Sequence, residues 1–320
     1  MSDFTTLSRL GQNNGAGATD ALFIKVATGE ILAAFQRTTE FTDKHLMRQI
    51  ASGKSAAFPV LGRSNNGAYH VPGTELTGGA IPASEKIITI DDLMLTHVSI
   101  ANIDEAKNHY DVRSEYTNQL GEELGQIFDK NVAQVGVLNA RASANVTGLP
   151  GGTRLEAATM ATDSDVLAQA HFDAAQVFDE KYIPEGDRYS FLKPAQYYML
   201  AQNTKVINRD WDGRGSYADG KVVKIADIPL VKTNNLPTTQ ITTGNAKYQG
   251  DFRTTVGLIQ HRNAVGTVKL LDLAVEVEYS ARHQATIMVA KYAVGHGGLR
   301  PECGIELATG PVAQSLPSST

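Results

Sequence analysis

The segment from Ser52 to Lys86, "SGKSAAFPVLGRSNNGAYHVPGTELTGGAIPASEK", holds six glycines and three prolines. Phe58, Val60, Tyr69 and Val71 alternate with small or polar residues around the turn signal "SNNG" at 64–67, which predicts a long two-stranded hairpin. Ordering such a stretch costs on the order of 1–2 kcal/mol per residue in backbone entropy. So few large apolar side chains cannot offset that from within. A loop of this length is usually disordered or laid upon something else. The rest of the fold has to accommodate it.

The segment also opens with Gly53, Lys54 and Ser55, the last letters of a nucleotide-binding P-loop. That motif needs a further glycine five residues earlier, so that successive backbone N–H groups curl around phosphate oxygens. Arg48 stands there, and no glycine lies between Glu30 and Ser52. A helix should follow the serine, yet Pro59 makes the continuation read as extended chain. A nucleotide-dependent enzyme reading rests on Gly53-Lys54-Ser55 alone.

The 320 residues suffice for one large or two ordinary domains, and 42% are hydrophobic against 20% charged. Mean hydropathy is −0.20, as in soluble globular chains, and no apolar run is long enough to span a bilayer. The N-terminus lacks a basic stretch followed by an apolar one, so no secretion signal is read there. One cysteine, Cys303, excludes an internal disulfide and a cysteine-rich zinc site. Net charge is −5 with Lys and Arg dispersed, which argues against binding nucleic acid by phosphate neutralisation.

Along the chain, residues 1–20 read as a polar arm and 21–37 as a short helix. "KIITIDDLMLTHVSI" at 86–100 is rich in β-branched residues and reads as strand. The spacing of Tyr116, Leu120, Leu124, Ile127, Phe128, Val132, Val135 and Leu138 predicts one long helix over 111–142. Gly121, Gly125 and Gly136 interrupt it, weakening the helix while permitting close approach of a neighbour. A second helix is predicted over 163–180. Short strands and turns follow over 187–268, then long strands, with Glu276 and Glu278 alternating with apolar residues. The order is that of an α+β protein whose chain returns to its first unit at the end.

Catalytic constellations are not found. Eight histidines are scattered without metal-ligand spacing and read as surface or hydrogen-bonded residues, so no metal or other cofactor is expected. "GHGGLRP" at 295–301 has Arg300 where a dinucleotide fingerprint needs glycine, and reads as a tight turn requiring positive φ. The acid pairs Asp91–Asp92, Asp104–Glu105 and Glu122–Glu123 read as solvated, since neighbours in a strand or helix point apart. Asn145–Val146–Thr147 is a glycosylation sequon in form only. Cys303 has no helix N-terminus to activate it.

Four stretches in order carry a resemblance: "IASGKSAAFPVLGR" at 50–63, "EKIITIDDLM" at 85–94, "NHYDVRSEYTNQLGE" at 108–122, and "HRNAVGTVKLLDLAVE…AKYAVGHGGLRPE" within 261–302. Together they resemble the major capsid proteins of T-seven-like short-tailed bacteriophages, over roughly 20–142 and 250–305. The first stretch departs at Ala51, where the family pattern has serine, and 143–250 is divergent. The resemblance implies the HK-97 fold. Its parts would be an N-terminal arm (1–50, with the short helix), an E-loop (51–90), a P-domain (91–186) with spine helix 111–142, an A-domain (187–268), closing P-domain strands (269–308) and a tail (309–320).

It further implies a structural protein and no enzyme, self-assembling as hexamers and pentamers around double-stranded DNA. A scaffolding protein and a portal protein would be partners, no membrane would be involved, and assembly would occur in the host bacterial cytoplasm. Lys54 and Arg63 are then candidates to pair with carboxylates of a neighbouring subunit. Phe58 and Tyr69 are candidate buried contacts with it, because aromatics commonly anchor interfaces. Gly121, Gly125 and Gly136 are candidate bending points of the spine helix. A nanocompartment shell with the same fold but enzyme cargo is the alternative within this architecture.

Overall fold

The apolar face expected over 111–142 builds helix α1, Arg113–Ala140, about 42 Å long at 1.5 Å per residue. Leu120, Leu124, Phe128, Val132 and Val135 are buried along it. The computed structural model describes residues 39–65, 67–73, 75, 78–101, 113–203 and 224–311. The expected arm (1–20) and short helix (21–37), all of "NHYDV" at 108–112, Asp104–Glu105, part of the 187–268 unit and most of the tail lie outside these residues.

Two sheets flank the helix. The long sheet has the order β1-β12-β13-β4, with β1 (Leu46–Gln49), β4 (Met94–Ala101), β12 (Val265–Ser280) and β13 (Ala285–Gly298). β12 and β13 pair antiparallel from Val265↔Gly298 to Ser280↔Ala285, and β1 runs parallel to β12. The second sheet has the order β5-β14-β11-β6-β8-β7: Thr153–Glu156, Gly304–Ala308, Thr255–His261, Arg188–Leu192, Ile228–Lys232 and Lys224–Ile225. Residues from both sheets and the helices share one core, including Phe41, Phe178, Phe191, Phe252, Leu258 and Ile305.

Helix α2, Ser164–Glu180, begins where Asp163 accepts from the N–H groups of Asp165 and Val166, a side-chain cap. Its buried stripe is Leu167, Ala170, Ala174 and Phe178, on a helix at the expected place. Helix α3, Pro194–Ala201, was not expected among the short strands of 187–268. Proline at its first turn, where an N–H has no helical acceptor in any case, explains its start.

Three other expectations change. The strand read over 86–100 is two strands of different sheets, β3 (Ala83–Thr89) and β4, because the chain turns at Ile90–Leu93. There the Ile90 N–H donates to Lys54 O and the Asp91 N–H to Val294 O. The hairpin does not pivot at "SNNG": β2 (Ser55–Leu61) pairs with β3 from Ser55↔Thr89 to Leu61↔Ala83. Tyr69 and Val71 therefore stand in the irregular stretch beyond the ladder. Lastly, Gly295, Gly297 and Gly298 are not a positive-φ turn but extended positions of β13.

Gly136 shows why α1 can lie so close to its sheet. A Cβ there would come within 2.6 Å of Leu258 Cδ2 and 2.9 Å of Gln260 Oε1. Arg141, just past the helix, forks onto Glu306 of β14 at 2.7 Å through both Nε and Nη2. Among the described residues no helix is long and apolar enough to cross a membrane.

Candidate subunit interface

The glycines of β12 and β13 hold the root of the β2–β3 hairpin. A Cβ on Gly295 would lie 2.1 Å from Thr89 O, one on Gly297 2.9 Å from Ile88 Cγ1, and one on Gly266 3.0 Å from Ile88 Cδ1. Any side chain at these sites would push the hairpin off the sheet. Ile88, only 2% exposed, packs with Phe58, Val268 and Leu299 in a small cluster of its own. Glycine inside a strand is the sequence signal for such close backbone approach.

Polar contacts add to the root. Lys247 Nζ lies 2.5 Å from Asp91 Oδ1 and 3.2 Å from Thr89 O, and the Tyr248 hydroxyl donates to Asp91 Oδ2. Burial and the neighbouring carboxylate push the Tyr248 phenol well above its ordinary range, so it stays protonated as a donor. Asp91 is thus an anchoring acceptor, whereas the sequence reading had it solvated. A groove of about 350 Å³, lined by Lys86, Thr89, Leu138, Asn139, Asn145 and Lys247, separates β3 from the second half of α1.

Alternation along the ladder divides its side chains. Phe58, Val60 and Ile88 face inward and are buried, while Leu61 is 61% and Ile87 57% exposed on the opposite face. Beyond the ladder Tyr69 is fully exposed and Val71 and Ile81 largely so. The hairpin therefore carries an apolar outer face that stands exposed among the described residues.

The sequence candidates fall in different places. Tyr69 is fully exposed among the described residues. Phe58 is not: it is buried within its own chain beneath the Arg48 guanidinium, 4.5 Å from the ring centre. Lys54 is exposed at the start of β2. Arg63 donates to the Lys181 carbonyl oxygen and lies 4.7 Å over the Tyr182 ring of the same chain, and faces no carboxylate among the described residues. Gly121 and Gly125 are buried on α1, and Gly136 is the close-approach point described above. Leu61, Ile87 and Ile81 were missed because the ladder register, which decides the outward face, was not legible.

Among the described residues no catalytic arrangement accompanies this surface. Gly53, at φ 120°, leads into strand β2 rather than a helix, so Lys54 and Ser55 have no phosphate cradle. Burial pushes the Cys303 thiol up to about 12, far from a reactive thiolate. Among the described residues no three His, Cys, Asp or Glu side chains converge to hold a metal ion.

Residues 57–308 match the family described as Gp10A-like, major capsid protein. The chain belongs to that capsid protein family. It is 36% identical to the major capsid protein of Escherichia phage T7, covering 94% of this chain and 97% of that relative. Against the major capsid protein of Enterobacteria phage T3 the identity is 38%, over 92% and 94%. The capsid structure of cyanophage P-SCSP1u, 45% identical, matches with a TM-score of 0.80 over 97% of this chain and all of that one. The fold is thus the α+β, HK-97-like fold of phage capsids, and the chain is a structural shell protein of a tailed phage whose copies associate into the capsid.

Proposed function

We propose that the shell is built of hexamers and pentamers in which the β2–β3 hairpin is the E-loop and lies on a neighbouring subunit. The observation that carries this is its apolar outer face, Leu61 and Ile87 on the ladder with Tyr69, Val71 and Ile81 beyond it. Exposed apolar patches of this kind mark association sites. In this reading α1 is the spine helix, the long sheet belongs to the P-domain, and much of the six-stranded sheet forms the A-domain. β5 and β14, from either side of the 187–268 segment, join that same sheet, so the A-domain is completed by chain outside it. Tyr69 and the ladder's outer residues make the contact, with Lys54 at its margin. Gly121 and Gly125 are the positions where the helix yields as the shell changes shape.

The genome enclosed is double-stranded DNA, held without sequence recognition, and assembly in the host bacterial cytoplasm is guided by a scaffolding protein around a portal. Many moderate interfaces per subunit allow each to be weak and correctable while the sum is durable. The full chain, expressed alone, is examined by negative-stain electron microscopy with sedimentation. Closed shells, tubes or free hexameric and pentameric capsomers are expected. A chain still monomeric after addition of its scaffolding protein overturns the reading.

A further inference from the structure

Two buried histidines share one hydroxyl at the junction of the two sheets. His45, 1% exposed, follows the short turn Thr42–Lys44, and His296, equally buried, sits on β13. Thr267 Oγ1 of β12 lies 2.8 Å from His45 Nε2 and 2.8 Å from His296 Nδ1. His45 Nδ1 lies 2.6 Å from the Phe41 carbonyl oxygen, which can only accept.

That last contact fixes every proton in the chain. His45 donates from Nδ1, so its Nε2 is a bare acceptor and Thr267 donates to it. The threonine oxygen then accepts from His296 Nδ1–H. His296 Nε2 is left as a buried lone pair with no partner among the described residues. The arrangement is complete only with both rings neutral. A proton on His45 Nε2 leaves the Thr267 hydrogen without its acceptor, and one on His296 Nε2 creates a buried N–H with nothing to receive it.

What the chain of bonds ties together gives it consequence. Phe41, fully buried, stacks on Phe191 of β6 with ring centres 4.0 Å apart. Phe128 of α1 meets the His296 ring edge-on at 4.9 Å and the His45 ring at 5.8 Å. His45 therefore links the long sheet, the spine helix and, through Phe41, the six-stranded sheet.

We propose that His45, Thr267 and His296 form an acid-sensitive joint, closed while both imidazoles are neutral, whose opening frees the segment 41–45 and loosens the long sheet from the six-stranded one. The charged groups around it do not rescue an added proton. Arg262, in the turn after β11, and Lys247 oppose it, and His296 and His45 oppose each other. Asp43 favours a charge on His45, as the smallest influence there. Tyr248 and Tyr292 stay protonated. Asp129 of α1 is engaged by the Glu40 and Phe41 N–H groups and by Asn235, and burial pushes it up to about 6.

Burial holds His45 down at about 4 and His296 well below its ordinary 6.5. The open form binds protons from 6.5 downward and the closed form does not. The joint is thus at full strength above pH 6.5 and weakens as pH falls toward 4. The closing constant drops by up to about tenfold per pH unit for each histidine, about a hundredfold for both.

The test is amide hydrogen exchange on the assembled full-length protein between pH 4.5 and 8, corrected for intrinsic exchange and read by mass spectrometry. Protection of a 41–50 peptide is expected to fall by clearly more than tenfold, approaching about a hundredfold, per pH unit well below 6.5, while that of 304–308 holds. His296→Asn keeps an N–H at the Nδ1 position but removes the basic nitrogen, so the fall should shrink to one proton's worth. Thr267→Ser should retain all of it. A flat wild-type profile, or an undiminished slope in His296→Asn, overturns the proposal. If His296→Asn does not fold, imidazole C2–H exchange of the wild type decides: both histidines titrating near 6.5 overturns it, and both well below supports it.

Discussion

Glu306 is fully buried, and polar partners surround its carboxyl group. Arg141 grips both carboxylate oxygens at 2.7 Å, the Thr255 hydroxyl donates to Oε1 at 2.7 Å, and Arg154 Nε stands 3.2 Å from Oε2. Arg141 also donates to Asp251 O at 2.6 Å, so one guanidinium joins the end of α1 to β14 and β10 (Gly250–Asp251). Desolvating such ions is worthwhile only while every partner remains. Glu306→Ala is expected to destabilise the unassembled chain by about 3–5 kcal/mol, because the largely buried Arg141 guanidinium loses its counter-charge and Arg154 keeps only Glu156. Urea denaturation followed by far-ultraviolet circular dichroism measures it. A loss below about 1 kcal/mol would mean the cluster is a surface ion pair in energetic terms.

At the scale of the element, the hairpin has a face for its own chain and a face for another. Replacing both Leu61 and Ile87 by serine removes apolar surface already in water, so the melting temperature of the unassembled chain should stay within about 2 °C. Assembly should fail or need several-fold more protein, as read by sedimentation and microscopy of the same preparation. Equal loss of melting temperature and assembly would show that the outer face supports the chain's own fold. Much of this element was legible. Glycine, proline and sparse apolar residues over 52–86 foretold a segment unable to fold upon itself, and the spacing from Tyr116 to Leu138 foretold the helix beside it. The register was not legible, because "SNNG" is a stronger local turn signal than anything near Leu61 or Ala83. The Gly62 N–H closing on Pro82 O is a non-local bond that no short window contains. Phe58 was misjudged for the same reason: facing Lys86 across the ladder, it turns inward onto Ile88 and Leu299. The glycines of β13 carried their signal in plain view, but close approach names no partner until the strand that approaches is known.

For the whole molecule, the proposed DNA content raises the question of how a shell can enclose a polyanion without seizing it. The full sequence has 29 Lys and Arg against 34 Asp and Glu, a net charge of −5 at neutral pH. Several of its cations are already engaged within the chain: Arg141 and Arg154 on Glu306, Arg188 on Asp179, Lys247 on Asp91, Lys291 on Glu276. An ion-paired side chain releases no counterion from DNA unless its own partner is given up, so these five side chains add little of the affinity that basic proteins draw from phosphate neutralisation. Like-charged surfaces at close range repel, and salt screens that repulsion over about 8 Å at physiological ionic strength. The unassembled subunit should therefore show no retention of duplex DNA in a filter or gel-shift assay at physiological salt, at micromolar protein. Any weak binding seen at low salt should have a shallow slope of log affinity against log salt, about one phosphate or fewer. A steep slope, equivalent to several phosphates, would mean that the cations are gathered on one face, and that the genome is held by the wall rather than confined by it.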